Sequence, residues 1–298
     1  MQQRVLAIYY TQTGQLGEIM DRFTAPLVEA GVTVETVVVR PNPGFPFPWT
    51  SDTFFGEMPD CVLSVPRGLE PFSLGATRYD LIILGYTPWF LSPSIPTNSL
   101  LQDPAFQSVL KDTPVITVTG CRNMWISAHI RLRKSLEDRG ARLVGNIALV
   151  DRHLNLVSLL TIMHWLFGGK KDRWRNILPV PGVSQTDIDR MSDYGRLVLP
   201  ALAGDWSGLQ PALVGAGAVD VKPHLLFIER NGARIFGIWA NVIVRKGNRK
   251  PWLRAFKWYI MFALFLLGPL VYLITQLIIR PLFYRKVNSV RKHYLYLN

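Results

Sequence analysis

Short apolar runs alternate with longer segments of helical periodicity through most of the chain. The first run ends at Tyr10, and the segment behind it keeps apolar residues three and four positions apart until Gly31. This alternation predicts an α/β fold, a doubly wound five-stranded parallel sheet with right-handed crossovers. The predicted strands cover residues 5–10, 32–40, 81–86, 114–119 and 142–150, and the predicted helices cover 15–30, 123–139 and 184–202.

The loops that follow the strands are the expected ligand-binding positions, because parallel strands bring their carboxyl ends to one edge of a sheet. The first such loop is Thr11-Gln12-Thr13-Gly14-Gln15, which opens the first helix. Backbone N–H groups at a helix start attract phosphate, and threonine hydroxyls add donors. Neither GxGxxG nor GxxxxGKS/T is present, so dinucleotide and nucleoside-triphosphate sites are disfavoured. A phosphate cradle and an ordinary strand-to-helix turn are the two interpretations.

This T-x-T-G loop resembles the FMN-phosphate loop of the flavodoxin family, with Leu16 standing where that family often has Thr or Ser. The resemblance implies a flavodoxin-like fold and FMN as the cofactor. The second loop, "LGYTPWFLSPSIP", offers flat apolar contacts and backbone donors for an isoalloxazine ring, although a hydrophobic loop packed on the body is the alternative. The predicted cofactor-binding residues are Thr11, Gln12, Thr13, Gly14, Gln15, Tyr86, Thr87, Pro88, Trp89, Phe90, Gly120 and Asn123.

A long irregular stretch at residues 41–78 carries repeated prolines and a set of aromatic residues. Long loops in compact domains often serve as lids or binding loops. The aromatic rings are expected to line a channel for a lipophilic substrate, to touch a membrane or to fill a satellite core. They belong to Phe45, Phe47, Trp49, Phe54 and Phe55.

The net charge of +12 at first suggests a nucleic-acid partner. However, residues 245–298 contain eleven Lys and Arg without any Asp or Glu, and the rest of the chain is nearly neutral. We therefore expect no nucleic-acid partner. Two cysteines cannot build a disulfide framework, and the five scattered histidines show no metal-ligand spacing, so no metal is expected. No secretory signal pattern precedes the first strand.

The basic tail encloses a charge-free run of 22 residues, 258–279. As a helix it would be about 33 Å long, which matches the hydrocarbon core of a bilayer. Basic clusters on both sides and Gly268-Pro269 in the middle favour a re-entrant segment with both ends cytoplasmic; a single span and a buried core helix are the alternatives. We expect a flavodoxin-like domain at 1–210, an amphipathic basic linker at 211–257 and a membrane anchor with a basic tail at 258–298. The expected location is the cytoplasmic face of the inner membrane.

Residues 223–244, ahead of this anchor, repeat apolar side chains at helical spacing. An interfacial helix on the bilayer and an amphipathic helix packed on the body both fit this pattern. Asn231-Gly232 also permits a two-stranded hairpin.

Several longer stretches resemble the proteins labelled dialkylresorcinol condensing enzymes: "AIYYTQTGQL", "PFPWTSDTFF", "DLIILGYTPWFLSPSIPT" and "RNMW". The resemblance implies an aromatase step, in which a dialkylcyclohexanedione made by a partner ketosynthase is oxidised to a dialkylresorcinol. This step needs a base and a group that stabilises an enolate oxygen. His153 and Asp151 are the candidate bases, and Arg122 is the candidate stabilising group. A structural histidine and a helix-start salt bridge are the alternatives for His153 and Arg122.

Three other functions stay open on the sequence alone. An NAD(P)H-dependent quinone reductase would use the same fold and cofactor with a lipophilic substrate. An electron-carrier flavodoxin is disfavoured, because such carriers are usually acidic. A flavin-free membrane adaptor would keep the fold without the chemistry.

Overall fold

A computed structural model describes residues 2–274, 277 and 284–297 of the chain. Its strands are β1 (Arg4–Tyr9), β2 (Thr33–Val38), β3 (Leu81–Tyr86), β4 (Pro88–Trp89), β5 (Ser92–Pro93), β6 (Pro114–Cys121) and β7 (Arg142–Val150). β4 and β5 form a small antiparallel hairpin, and the other five strands form a parallel sheet in the order β2-β1-β3-β6-β7. This order is the flavodoxin-like arrangement of a doubly wound sheet, so the predicted fold class is confirmed.

Helices cover both faces of the sheet and continue beyond it. The helices up to residue 201 are α1 (Gln15–Glu29), α2 (Ser51–Gly56), α3 (Met58–Val62), α4 (Ile95–Gln102), α5 (Pro104–Ser108), α6 (Ile126–Glu137), α7 (Asn155–Gly168), a 3₁₀ turn (Trp174–Asn176), α8 (Gln185–Asp189) and α9 (Met191–Ala201). The later ones are α10 (Leu209–Gly215), α11 (Pro223–Val244), α12 (Lys250–Phe262), a π-helical turn (Ala263–Leu267), α13 (Gly268–Ile274) and α14 (Tyr284–Leu295).

Alternate residues of each strand pack against different helices, because successive strand side chains point to opposite faces. On one face, α1, α9 and α10 pack against residues such as Ala7 and Ile83. On the other face, α4, α5 and α6 pack against residues such as Ile8 and Leu84. The loops after β1, β3, β6 and β7 therefore meet at one edge of the sheet, where the predicted site lies.

Most predicted elements are present, with changes at their ends. β3 and β7 keep their predicted bounds, while β2 is shorter than predicted and β6 extends to Cys121. The predicted helix at 123–139 begins only at Ile126, because Arg122 and Asn123 turn towards another loop. The predicted helix at 184–202 divides at Arg190 into α8 and α9.

The stretch 41–78, predicted to be irregular, contains α2 and α3. Thr50 begins α2 by accepting a hydrogen bond from the backbone N–H of Thr53, a capping arrangement that satisfies a free donor of the first turn. Sequence periodicity missed these helices because each is only five or six residues long.

α11 is one continuous helix, so the hairpin alternative is wrong. It packs on the body: Phe236 and Ala240 join Met58 of α3 in a buried cluster. The buried carboxylate of Glu229 accepts a hydrogen bond from the backbone N–H of Ser127, in the first turn of α6. A negative charge is favoured there by the helix dipole. Of the three interpretations of this segment, the amphipathic helix packed on the body is the one observed.

The apolar run predicted to be an anchor starts within α12 and continues through the π-helical turn into α13. Its residues 275, 276, 278 and 279 lie outside the described part of the chain. Within the described residues, none of the helices combines the length and the apolar character that crossing a bilayer requires.

α10 spans the predicted domain boundary at residue 210, and Val219 forms a parallel bridge with Ala148 of β7.

The docking of α11 makes the stability of the fold depend on pH through one carboxyl group. Burial raises the pKa of Glu229 from the ordinary 4.5 to about 7. Between these values the folded protein binds a proton that the unfolded chain releases, so the free energy of unfolding falls as pH rises from about 4.5 to about 7. We expect Glu229→Gln to remove this fall, a change on the order of 1–3 kcal/mol at pH 7.5 relative to pH 4.5.

Urea unfolding at a series of pH values measures the effect. The exposed Glu29 of α1 supplies the control, since Glu29→Gln should leave the pH dependence as it is. Parallel pH profiles for the unsubstituted chain and Glu229→Gln would contradict this role of Glu229.

Candidate functional site

The loop between β1 and α1 presents an open helix start. Gly14 occupies the position before α1 with φ of 84°, a left-handed conformation that glycine adopts without strain. Within the described residues, the backbone N–H groups of residues 12–16 donate to no protein acceptor, and the buried hydroxyl of Thr11 has no partner. A Cβ on Gly14 would meet no described atom within 4 Å, so backbone conformation explains this glycine better than crowding does. The loop has the donors that a phosphate group needs.

Three side chains in and beside this loop contact the rest of the protein. Gln12 Nε2 donates to the carbonyl oxygen of Pro46 at 3.0 Å, and Gln15 Oε1 accepts from the backbone N–H of Val183 at 3.1 Å. Leu16 packs into the core below α1, so the position where flavodoxins often have a hydroxyl is apolar here. Donors for an anion at this loop are thus the backbone N–H groups and the hydroxyls of the two threonines, Thr11 and Thr13.

The β4–β5 hairpin carries the second predicted loop. Its two turn residues, Phe90 and Leu91, have φ of 48° and 59°, which is unfavourable for residues with a Cβ. The buried thiol of Cys61 donates to the carbonyl oxygen of Trp89 at 3.3 Å, and the carbonyl oxygen of Thr87 accepts from Ser94 N at 2.9 Å. Backbone strain of this kind persists where the surroundings enforce it and is frequent at functional sites.

Tyr86 and Pro88 flank Thr87 and have different environments. The ring of Tyr86 is fully buried in the core between the sheet and α6, and within the described residues its hydroxyl has no partner. Pro88 is partly exposed and pairs with Pro93 in the hairpin. Of the predicted ring contacts, Trp89 and Phe90 therefore lie in the loop itself, whereas Tyr86 belongs to the core.

An aromatic cluster surrounds the hairpin. The indole of Trp89 makes edge contacts with the rings of Phe45, Trp49 and Tyr10, at centroid distances of 5.0, 5.6 and 6.1 Å. Trp49 is buried, so for this residue the satellite core expected from the sequence is what forms. We call this group the aromatic cluster; its members are Tyr10, Phe45, Trp49, Phe54, Trp89, Phe90 and Phe167.

The third loop follows β6 and is held by α7. Gly120 lies at the end of β6, where a Cβ would come within 2.5 Å of Ile19 Cδ1, so glycine allows α1 to approach the sheet. Arg122 Nη1 donates to the side-chain oxygen of Asn155 at 2.8 Å, and Asn123 Nδ2 donates to the same oxygen at 2.7 Å. Burial lowers the pKa of Arg122 to about 10, which leaves its guanidinium charged at neutral pH. Asn155 was not among the predicted site residues.

Asp151 and His153 form a pair in the loop after β7. Asp151 is buried, and its Oδ1 accepts hydrogen bonds from the backbone N–H of His153 at 2.9 Å and from His153 Nδ1 at 2.7 Å. This contact places the imidazole proton on Nδ1 and leaves Nε2 as an acceptor. The imidazole is partly exposed, with 42% of its side chain accessible. The backbone N–H of Asp151 donates to the carbonyl of Cys121, which joins this loop to the Arg122 loop.

Helix α7 closes over this edge of the sheet, a feature that the sequence reasoning missed. Trp165 of α7 is buried, and a Cβ on Gly182 would lie 2.8 Å from its ring. The carbonyl oxygen of Leu166 accepts a hydrogen bond from the backbone N–H of Trp49 at 2.8 Å. The signal in the sequence was the apolar run of residues 156–167 directly after His153, which has helical length.

Polar atoms without partners collect at the carboxyl ends of several strands. In the described part of the chain, Thr11 Oγ1, Asn123 Oδ1 and Asp151 Oδ2 are buried and make no hydrogen bond. They lie in the loops after β1, β6 and β7. Because a buried polar group without a partner costs free energy, such a group indicates a missing ligand or water.

A cavity of about 500 Å³ lies beside β7 and is lined in part by Arg152, in the loop after that strand. Its charged lining is largely paired: Arg152 contacts Asp187 at 2.6 Å and Arg291 contacts Asp220 at 3.4 Å. None of the predicted site residues lines this cavity.

Several solved structures are similar to this chain, whereas neither a protein-family model nor a curated protein sequence matches it. A flavoprotein from Lactobacillus acidophilus NCFM, solved in complex with FMN, is 16% identical with a TM-score of 0.39 and aligns 49% of this chain with 93% of its own. Oxidised flavodoxin 1 from Bacillus cereus is 15% identical with a TM-score of 0.32, at coverages of 56% and 99%. A flavone reductase is 11% identical with a TM-score of 0.37, at coverages of 67% and 63%. We therefore derive a function from the side chains of this chain.

The unpaired hydroxyl of Thr11 gives a direct test of the loop. Thr11→Val keeps the side-chain shape and removes a buried hydroxyl without a partner, so the ligand-free protein should keep its stability or gain up to about 1 kcal/mol. The matched control is Thr24→Val on α1, because the buried Thr24 hydroxyl donates to the carbonyl of Met20 and its loss should cost about 1 kcal/mol. Urea unfolding of the ligand-free variants measures both; equal losses would show that the Thr11 hydroxyl has a partner.

Proposed function

We propose that the chain is an FMN-dependent oxidoreductase. The observation that carries this proposal is the set of buried, unpartnered polar atoms on Thr11, Asn123 and Asp151, which lie in loops at one edge of the sheet. In doubly wound sheets this edge is where ligands bind, at the point where the strand order reverses, which is between β1 and β3 here. The similarity to flavodoxin-like structures agrees with the proposal without carrying it.

The residues present fit an FMN molecule. The phosphate would accept hydrogen bonds from the backbone N–H groups of residues 12–16 and from the hydroxyl of Thr11. Trp89 and Phe90 would supply apolar contacts to the ring, and the turn at residues 120–123 would approach it from the neighbouring loop. Bound FMN would take up the electrons that the oxidation of a substrate releases.

For the reaction we propose the oxidation of a dialkylcyclohexanedione to a dialkylresorcinol, which the resemblance to the dialkylresorcinol proteins implies. Aromatisation removes two hydrogens from the ring, one as a proton and one with the electron pair that bound FMN would accept. His153 Nε2 would take this proton, since Asp151 contacts Nδ1 and would balance the imidazolium that forms. Arg122 would stabilise the developing enolate oxygen, because its charge is held in place by Asn155.

A lipophilic dione suits an enzyme that works at a membrane. We propose attachment to the cytoplasmic face of the inner membrane through the tail, next to the ketosynthase that supplies the dione. The aromatic cluster is the surface of the site that fits alkyl chains, because its rings are apolar and lie beside the hairpin that carries Trp89.

The base is tested by stopped-flow absorbance of the flavin on mixing the FMN-loaded protein with the dione. Replacing His153 by Ala should slow flavin reduction about 100-fold, the usual scale for loss of a general base. His164→Ala is the control, because His164 also contacts an aspartate, Asp172 at 2.7 Å, but sits near the far end of α7.

Other outcomes of the same measurement decide the reaction. If the dione leaves the flavin oxidised while NADPH and a quinone are turned over rapidly, the protein is a quinone reductase and the aromatase proposal is wrong. If the purified protein shows no flavin absorbance and does not take up added FMN, the flavin-free adaptor becomes the favoured function.

A further inference from the structure

The apolar run near the C-terminal end of the sequence is attached to the body on both sides. Upstream, the ring of Phe256 is fully buried and contacts Phe55 of α2 and Phe236 and Trp239 of α11, at centroid distances of 6.1, 5.4 and 5.7 Å. Arg249, at the start of α12, lies 3.6 Å from Asp60 of α3. The chain therefore stays packed on the body through Tyr259 and Ile260, the second and third residues of the run.

Downstream, α14 returns to the body. Leu295 is buried in a cluster with Ile126 and Ala148, the latter on β7. The side-chain amide of the buried Gln210 donates to the backbone carbonyl of Leu295 at 2.7 Å, and the same side chain accepts from Asn146 N at 2.7 Å. A continuous chain of hydrogen bonds thus joins α14 to the central sheet.

Between these two attachments the described part of the chain exposes many of its apolar side chains, while α13 also lies beside α11. Trp258 is 69% exposed and Leu266 is 60% exposed. Within residues 257–274 and 277, those whose side chains are described include no buried residue. The exposed apolar residues of the run are Trp258, Phe262, Phe265, Leu266, Leu267, Leu270, Leu273 and Leu277. An apolar surface of this kind on a folded protein marks a contact site.

The charges beside the run indicate what covers it. Six basic residues precede it, and of these only Arg249 has a carboxylate partner in the described part of the chain. Such a cluster next to an apolar surface is the arrangement that anionic lipid headgroups attract. The six are Arg245, Lys246, Arg249, Lys250, Arg254 and Lys257.

We propose that the apolar run enters an anionic bilayer leaflet and returns on the same side, so that the body sits on one face of the membrane with two attachments to the inserted segment. A single span would place the two ends of the run on opposite sides of a hydrocarbon core about 30 Å thick. Phe256 and Leu295 belong to one folded body, and that body cannot lie on both sides. This inference builds on the proposed membrane attachment and is independent of the flavin chemistry.

Cysteine accessibility tests the topology in the full chain. Lys246→Cys and Lys292→Cys place single exposed thiols before and after the run. In inverted inner-membrane vesicles from cells that make each variant, a membrane-impermeant maleimide should label both positions equally with and without detergent. The unsubstituted chain gives the background from its own two cysteines. Labelling of one position only after detergent would establish a span and overturn the proposal.

A second pair of variants tests insertion itself. Leu266→Glu combined with Leu270→Glu should weaken cosedimentation with vesicles of phosphatidylcholine and phosphatidylglycerol at least tenfold. Both side chains are more than half exposed, so the body should keep its circular dichroism spectrum. Ile177→Glu is the matched control, because Ile177 is an 81% exposed apolar residue on the body. Binding to neutral phosphatidylcholine vesicles should be weaker than to anionic ones.

The results separate this inference from the proposed function. Unchanged vesicle binding in the Leu266 and Leu270 double variant would overturn insertion of the run. Insertion would also be overturned if the unsubstituted chain ignored vesicles and formed a dimer that the double variant abolished, since a second copy would then cover the surface. FMN content is measured on the same samples, so loss of flavin with normal topology would count against the oxidoreductase alone.

Discussion

Burial of both faces of a parallel sheet is the constraint on which the rest of this structure depends. Parallel neighbours require crossovers, the crossovers place helices on both faces, and all strands then end at one edge. That edge gathers loops that are far apart in sequence, such as those that carry Thr11, Asn123 and Asp151. Close packing of the helices shapes this edge as well, since Gly120 at the end of β6 leaves room for Ile19 of α1 to lie against the strand.

Local pattern was enough for the elements that this constraint produces. β3 and β7 were predicted residue for residue because apolar runs of that length between turn signals have few other uses. The alternation of side chains along β3 also indicates where Tyr86 points. Tyr86 shares a face with Ile82 and Leu84, and it therefore points into the core beneath α6. The short helices α2 and α3 were not predicted, because their positions are set by contacts with segments far away along the chain, α12 for α2 and α11 for α3.

The candidate site could be predicted by residue type and loop, but not by partner. The sequence predicts that His153, Asp151 and Arg122 lie in loops at one edge of the sheet, with structural alternatives for His153 and Arg122. The hydrogen bond from Arg122 to Asn155 and the one from Val183 to Gln15 join segments that are far apart in the sequence. Local sequence periodicity does not predict such pairs. Such contacts arise from tertiary packing, and they convert a set of suitable side chains into an arrangement with defined proton positions.

The two attachments of the apolar run, at Phe256 and at Leu295, also restrict how the molecule can move. A body joined to a membrane by one flexible linker tumbles and presents every face in turn. Under the membrane insertion that we propose, a body held at two packed points would keep one tilt and one height above the lipid, so its candidate site would face a constant depth. Its encounters with lipid-dissolved molecules would then become a search in a plane, in which orientation is set before collision.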